Sequence, residues 1–172
     1  HRDLHSFPTR RSSDLRSSRG NSRAEALELF AGGLSAAADY AEERRSTILL
    51  EALSSRDTDI VNTLDEAAAL VRRIGKPGLA GMFDFHNTTD ETEPWDVLVE
   101  RHWSMVRHVH VNELDGGWPA GRGRADFGPV FRLLDRKKFD GWVSLEIFTV
   151  PEDPERVLRE TMDFYKNMEA EK

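Results

Sequence analysis

Four short apolar runs recur along the chain, and a segment with helical periodicity follows each of them. The runs cover residues 48–51, 79–84, 106–111 and 141–148. Runs of this length, rich in Val, Ile, Leu and Phe, are typical of buried strands. Since strands that alternate with helices pair in parallel, the sequence predicts an α/β fold with a parallel sheet.

Helix start signals precede the segments that flank these runs. Ser22 and Glu25 match a capping box, and the helix that they begin is predicted to reach about Arg45. Thr63 and Glu66 repeat the pattern before the second helix. The later helices are predicted to begin at Pro94-Trp95, at a cap supplied by Asp126, and at Asp153-Pro154.

The third run carries imidazoles at alternate positions. The strand period of two predicts His108 and His110 on one face, together with Val106. The opposite face is predicted to carry Arg107, Val109 and Val111. His110, nearest the end of the strand, is the residue of this run that we expect to meet a ligand.

Each of the four predicted strands ends on a residue that can bind a metal. These residues are Glu51, Asp84, His110 and Glu146. An acidic residue after a strand is usually only exposed to solvent at the strand end. Parallel α/β folds, however, place their active and binding sites at the carboxyl ends of the strands. Three carboxylates and an imidazole suit a hard or borderline divalent cation. The sequence therefore predicts one metal site made by four strand ends.

The strand-end residues are separated by 33, 26 and 36 residues, which is the length of a strand–helix unit. A doubly wound sheet is compatible with this alternation. A barrel is favoured, because the ends of its strands converge on one mouth. Four units make half of an eight-stranded (β/α)₈ barrel.

Composition narrows the class of protein. The chain has 172 residues, of which 38% are hydrophobic, and no cysteine, so it can bury a core but has neither disulfides nor thiolate metal ligands. It has no run long enough to span a membrane and no signal peptide, which together favour a cytoplasmic location.

The net charge is unevenly distributed along the chain. Five arginines and two aspartates give residues 1–20 a charge of +3, which leaves −10 on the rest of a chain whose total is −7. An acidic body argues against binding to a nucleic-acid backbone.

The first twenty residues resemble a translated sequencing-library adapter. Residues 5–15, HSFPTRRSSDL, match the second reading frame of a common adapter throughout. We therefore interpret residues 1–20 as a non-native leader, and residues 21–172 as the protein domain.

The body of the chain, about residues 22–172, resembles the sugar phosphate isomerase/epimerase family, which has a xylose-isomerase-like (β/α)₈ barrel. The similarity lies in LLEAL, MFDFHN, HVHVNE and SLEIF around the four strand ends, and in PAGRGRADF at residues 119–127. It implies that the chain is the C-terminal half of the barrel, strands five to eight. It also implies that Glu51, Asp84, His110 and Glu146 bind one divalent metal, with Mn²⁺ expected first and Mg²⁺, Co²⁺ or Zn²⁺ as alternatives.

The chain departs from the ketose-epimerising members of this family at substrate-binding positions. Asp57 stands where those members have Glu, Asn87 where they have a substrate-contacting His, and Gly116 where they have Arg. His86, one residue before Asn87, is a further candidate for the substrate site. Candidates from the glycine-rich loop are Trp118 and either Arg122 or Arg124.

The resemblance implies an isomerase or epimerase that acts on a small sugar or sugar phosphate. Glu51 and Glu146 are the expected catalytic residues, one removing a proton from the carbon beside a metal-polarised carbonyl and the other returning it through an enediolate. Substrate hydroxyls are expected to bind Asp57 or Asn87. The rivals are a keto-inositol dehydratase, an endonuclease of the same superfamily, and an inactive truncated half-barrel, and a homo-oligomer is compatible with each.

Overall fold

The computed structural model describes residues 18, 20–119, 123 and 125–170. Helices and strands alternate through this part of the chain, as the hydrophobic pattern predicted. The elements in chain order are α1 (Arg23–Glu43), β1 (Ile48–Leu50), α2 (Leu64–Ile74), β2 (Leu79–Asp84), α3 (Trp95–Arg101), β3 (Val106–Val111), α4 (Gly128–Arg136), β4 (Trp142–Leu145) and α5 (Pro154–Ala170).

The four strands form one parallel sheet in the order β1-β2-β3-β4. Neighbours in the sheet are thus also neighbours in the sequence, and a helix joins each strand to the next. A doubly wound sheet reverses its strand order at a switch point, whereas a (β/α)₈ barrel keeps it sequential. The order confirms the prediction of a barrel-type arrangement.

The core lies between one face of the sheet and the helices. Phe83, Val109 and Val111 pack in one buried cluster with Leu98 of α3 and Leu133 of α4. Because side chains alternate along a strand, Asp84, His108 and His110 point to the opposite face. The helices therefore cover one side of the sheet and leave the polar strand-end residues on the other.

A second cluster anchors the first helix. Ala31 and Ala38 of α1 lie beside Leu50 of β1 and Leu70 of α2. Alanines on α1 permit close approach, and a Cβ at Gly78 would lie only 2.1 Å from the carbonyl oxygen of Ala38. This contact fixes the loop into β2 against α1.

Strand β3 contains an irregularity that its hydrophobic pattern did not reveal. Gly81 pairs with Val106 but Met82 pairs with His108, so Arg107 is an additional residue in β3. Val106 consequently packs in the same core cluster as Val109, while Arg107 is exposed. The predicted placement of Val106 beside the histidines, and of Arg107 beside the core valines, was wrong.

The fourth strand is shorter than predicted. It covers Trp142–Leu145 rather than residues 141–148, and the last hydrogen bond to β3 runs from the backbone N–H of Glu146 to the carbonyl of Val111, at 3.3 Å. The backbone N–H of Phe148 donates to the carbonyl of Gly116, 3.2 Å away in the loop after β3. Glu146 is thus the first residue beyond the strand.

The predicted caps are confirmed at the first and last helices. Ser22 and Glu25 make both hydrogen bonds of a capping box, and α1 ends at Glu43, two residues before its predicted end. Asp153 accepts a hydrogen bond from the backbone N–H of Arg156 at the start of α5.

The two middle caps differ from the prediction. Thr63 caps α2, but the carboxylate of Glu66 accepts from the backbone of Asn62 instead of closing the capping box. Asp126 accepts from the N–H of Gly128, yet the residue at the N-cap position of α4 is Phe127. The predicted Asp126 cap was therefore misplaced by one residue. The Asp126 side chain instead closes a short turn with Gly128, directly before the helix.

Within the described residues, no further strand pairs with the outer strands β1 and β4. Unpaired strand edges favour pairing with another chain. We expect the 19.6 kDa chain to self-associate, with a sedimentation coefficient that rises with concentration. A single monomeric species at every concentration, combined with a cooperative thermal transition, would contradict this prediction.

Candidate metal centre

The ends of the four strands bring four potential metal ligands together. One ligand atom from each of Glu51, Asp84, His110 and Glu146 lies within 4.8 Å of the others. Asp84 is the last residue of β2, and its Cα pairs with that of His110 in β3. Glu51 and Glu146 directly follow β1 and β4. The arrangement predicted from the strand ends is the one that the structure contains.

Hydrogen bonds hold the four side chains in place. His110 Nδ1 lies 3.1 Å from Glu146 Oε2. The side-chain amide of Asn87 donates to Glu51 Oε1 and to Asp84 Oδ2, at 2.9 Å in both cases. The other oxygen of Asp84 accepts from the backbone N–H of His86, also at 2.9 Å. These hydrogen bonds link the four residues in two pairs. His110 pairs with Glu146, and Glu51 pairs with Asp84 through the amide of Asn87.

Burial and the neighbouring negative charges shift the pKa values of the carboxyl groups in the cluster. Burial raises the pKa of Glu51 to about 8, and the hydrogen bond with Asp84 and the charges of Asp84 and Glu146 act in the same direction. Burial also raises the pKa of Asp84. Without a cation, Glu51 therefore keeps its proton at neutral pH.

The opposite side of the cluster pairs the imidazole of His110 with the carboxylate of Glu146. The hydrogen bond from His110 lowers the pKa of Glu146. Burial opposes protonation of His110, but the hydrogen bond to Glu146 and the charges of Glu146, Asp84 and Glu51 outweigh it, and the pKa of His110 is raised.

These residues fit a divalent cation. Carboxylate oxygens and an imidazole nitrogen are ligands for hard and borderline metals, and their separations allow a single ion to reach all four. A cation would also relieve the repulsion that keeps Glu51 protonated. The residues that would hold it are Glu51, Asp84, His110 and Glu146.

An aromatic pair lies beside the cluster. The rings of His86 and Phe148 have centroids 4.6 Å apart, and 58% of Phe148 is exposed. Phe148 also lies over Gly116, where a Cβ atom would come within 2.8 Å of Phe148 Cδ2. Gly116 has a φ of +83° as well. Steric contact and backbone conformation therefore both disfavour the arginine that ketose-epimerising members have there.

The other predicted substrate-binding residues do not join the four ligands. Asp57 is exposed in the loop after β1. The indole N–H of Trp118 donates to Glu160 Oε2 at 2.8 Å, which ties this side chain to α5. Arg122 and Arg124 lie outside the described residues.

Two buried residues after β3 support His86 and had no predicted role. Asn112 Oδ1 accepts from the backbone N–H of His86 at 2.9 Å, and the carbonyl of Glu113 lies 3.3 Å from His86 Nδ1. A Cβ at Gly123 would overlap the carboxyl group of Glu113. The close contact between this carboxyl group and the backbone at position 123 therefore requires a glycine. The signal available in the sequence was the polar Asn112-Glu113 pair directly after a buried strand.

Comparisons with known proteins agree with this geometry. Residues 7–168 match a family model described as a xylose isomerase-like TIM barrel. The curated relatives include a ketose 3-epimerase of Arthrobacter globiformis, 29% identical over 65% of this chain and 38% of its own length. A putative hydroxypyruvate isomerase of Mus musculus is 28% identical over 72% of this chain and 46% of its own.

Two solved structures share the fold. A D-allulose 3-epimerase from Methylomonas sp. superposes with a TM-score of 0.78, at 21% identity over 84% of this chain and 56% of that one. An AP endonuclease, family 2, from Brucella melitensis gives a TM-score of 0.74, at 22% identity over 86% and 57%.

A parallel sheet with ligands at its carboxyl edge and a family match over most of the chain define a class of protein. The chain belongs to the xylose isomerase-like TIM barrel family. It spans less than half the length of the two curated relatives described above. None of the helices among the described residues combines the length and apolar character that a membrane span requires.

We expect the cluster to bind Mn²⁺ and so to stabilise the folded state, by about 2.7 kcal/mol when free metal is one hundred times the dissociation constant. His110→Ala removes the only nitrogen ligand and should abolish the rise in melting temperature. His108→Ala, on the same strand but outside the four ligands, is the matched control. Equal metal content in the wild type and in His110→Ala would contradict the assignment.

The two outer glutamates should affect metal-free stability in opposite directions. The pKa of Glu51 is higher in the folded state than its ordinary value of 4.5, so its ionisation lowers stability progressively as the pH rises from about 4.5 to about 8. Glu51→Gln should therefore raise the free energy of unfolding at pH 7, by on the order of 2 kcal/mol, since one pKa unit corresponds to about 1.4 kcal/mol.

Glu146→Gln is the matched comparison, because the pKa of Glu146 is lowered by His110 and its charge favours the folded state. This variant should lower stability at pH 7, whereas the effect of Glu51→Gln should disappear near pH 4. Chemical denaturation in the presence of a chelator measures both. A loss of stability with Glu51→Gln at pH 7 would show that the pKa of Glu51 is not raised in the folded state.

Proposed function

We propose that this chain carries the metal centre and the proton-transfer groups of an isomerase or epimerase that acts on small ketoses or hydroxy-ketones. The observation that carries the proposal is the four-residue cluster, with Glu51 and Glu146 on the two outer strands and Asp84 and His110 between them. The names of the curated relatives support the same class of reaction.

A bound divalent cation would polarise a substrate carbonyl and make the hydrogen on the neighbouring carbon more acidic. Glu51 and Glu146 follow the two outer strands, β1 and β4. This separation supports a mechanism in which the two carboxyl groups act on opposite sides of that carbon. One carboxylate removes the proton, and the electron pair of the broken C–H bond forms the C=C bond of an enediolate. The other glutamate, in its carboxylic acid form, donates its own proton to the enediolate and becomes a carboxylate.

The position of the returned proton decides the product. Return to the neighbouring carbon, with the carbonyl moving one position, gives the isomer. Return to the original carbon from the opposite face gives the epimer. Both outcomes use the same two carboxylates, so the cluster supports the reaction class rather than one product.

The surrounding contacts suit a small hydroxylated substrate. His110 positions Glu146 through the 3.1 Å hydrogen bond, and Asn87 does the same for Glu51 at 2.9 Å. The exposed ring of Phe148, packed on His86, offers an apolar surface to the carbon-bound hydrogens of a sugar. Asp57 and the loop that carries Trp118 and Arg122 supply further candidate contacts for hydroxyl or phosphate groups.

An endonuclease is the second candidate, because a structure described as an AP endonuclease, family 2, shares the fold. Such an enzyme needs a basic surface for its substrate, whereas residues 21–172 carry a net charge of −10. The charge therefore favours a small neutral or weakly charged substrate over a nucleic acid.

Solvent exchange tests the proposed chemistry. We expect the Mn²⁺-loaded protein to exchange a substrate C–H for deuterium in heavy water. Glu146→Gln should lower the exchange rate by about 10²–10⁴-fold, the usual contribution of a general base. Bound metal is measured in parallel to separate proton transfer from metal loss.

Glu152→Gln, an exposed glutamate in the loop after β4, is the matched control and should leave the exchange rate unchanged. His86→Ala should have a smaller effect than Glu146→Gln. Turnover of phosphodiesters, or loss of water from a keto-inositol, without deuterium uptake from ketoses or hydroxy-ketones would overturn the proposal in favour of the corresponding rival.

A further inference from the structure

The side chain of Asn87 is buried and makes hydrogen bonds to two of the four residues of the cluster. It is only 7% exposed, and its Nδ2 atom donates to Glu51 Oε1 and Asp84 Oδ2 at 2.9 Å each. Its Oδ1 atom lies 3.5 Å from the backbone N–H of Ser54. Both ends of the amide thus have partners within the protein, and both protons of the NH₂ group meet carboxylates.

The two carboxylates come from different strands, β1 and β2, and their residues are 33 positions apart in the sequence. A single amide that donates to both fixes the distance between them as well as the orientation of each. A neutral donor achieves this without adding charge, whereas a second cation beside the cluster would compete with the metal. Asparagine, with two N–H donors on one nitrogen, suits this task.

The contact of Asn87 with Ser54 belongs to a wider set of bonds between the loops after β1 and β2. Ser54 Oγ lies 2.9 Å from Thr89 Oγ1, and Asp90 accepts from the backbone N–H and the hydroxyl of Ser55 at 2.7 and 2.6 Å. These bonds hold the two loops together without touching the ligands. The strands thus set the level of the ligands, and the amide of Asn87 orients the carboxylates of Glu51 and Asp84.

We propose that Asn87 is a positioning residue of the metal centre, which orients Glu51 and Asp84 for one divalent cation and does not itself bind the substrate. This inference rests on the proposed metal site. It changes the expectation from the sequence, in which Asn87 took the place of a substrate-contacting histidine. The amide protons that would have met a substrate hydroxyl are directed to the two carboxylates.

Loss of a group that orients metal ligands typically lowers metal affinity about 10–100-fold. We expect Asn87→Ala to weaken Mn²⁺ binding by this factor in calorimetric titration, while the protein remains folded by circular dichroism. Asn87→Ser, which leaves a small polar atom in the same space but cannot reach both carboxylates, serves as the second variant and should show a similar loss.

Asn62→Ala is the matched control. The amide of Asn62 also donates two hydrogen bonds in the loop after β1, at 3.0 Å to the carbonyl of Leu53 and at 2.8 Å to that of Thr58, and contacts no ligand. Its removal should lower the melting temperature without changing the dissociation constant for Mn²⁺. Thr89→Val, which removes the contact with Ser54 Oγ and the hydrogen bond with Asp90 but leaves the side chain of Asn87 unchanged, should behave in the same way.

The outcomes separate this inference from the proposed function. If the wild type and both Asn87 variants bind Mn²⁺ equally well, the positioning role is overturned and the metal site stands. If Asn62→Ala weakens binding as much as Asn87→Ala, loop stability rather than the amide contact governs affinity, which also overturns it. If the wild type binds no divalent metal, the proposed function and this inference fail together.

Discussion

The repulsion among three carboxylates gathered at one point is the constraint on which the site depends. Glu51, Asp84 and Glu146 meet within 4.8 Å of His110, in partly buried surroundings where like charges interact more strongly than in water. The protein offsets the repulsion in three ways. The raised pKa of Glu51 lets this side chain keep its proton and share a hydrogen bond with Asp84. His110 shares a hydrogen bond with Glu146, and the amide of Asn87 lies between Glu51 and Asp84. The remaining excess of charge is what a divalent cation would neutralise.

The sheet makes this gathering possible because each strand contributes one side chain. Four parallel strands in sequential order carry all their carboxyl ends to one edge, and the pairing of Asp84 with His110 sets the level of the two central ligands. The helices pack on the other face through residues such as Phe83 and Val109. The apolar core therefore fixes the strands, and the strands fix the ligands, without a flexible loop between them. Sites built on strands are for this reason more precisely positioned than sites built on loops.

The same distinction explains how far the sequence predicted the molecule. The strands, their parallel pairing and the four ligands depend on local apolar runs and on the residue that follows each run, so they could be recognised without a structure. The bulge at Arg107 and the early end of β4 could not, because they arise from pairing partners on other segments, such as Gly116 with Phe148. Asn87 belongs to this second group. Its role is defined by Glu51, 36 residues earlier, and no pattern near Asn87 indicates that contact.

The positions at which this chain departs from the ketose-epimerising members lie on the loops, outside the four strand-end residues. Gly116 is one such position. A side chain there would meet the ring of Phe148, and the backbone has a positive φ that favours glycine. An arginine at this position would have to displace Phe148, and Phe148 in turn packs on His86, whose backbone N–H holds Asp84. The aromatic pair and the glycine thus form one unit linked to a metal ligand. An arginine at position 116 would therefore disturb contacts in the loops after β2, β3 and β4 at once.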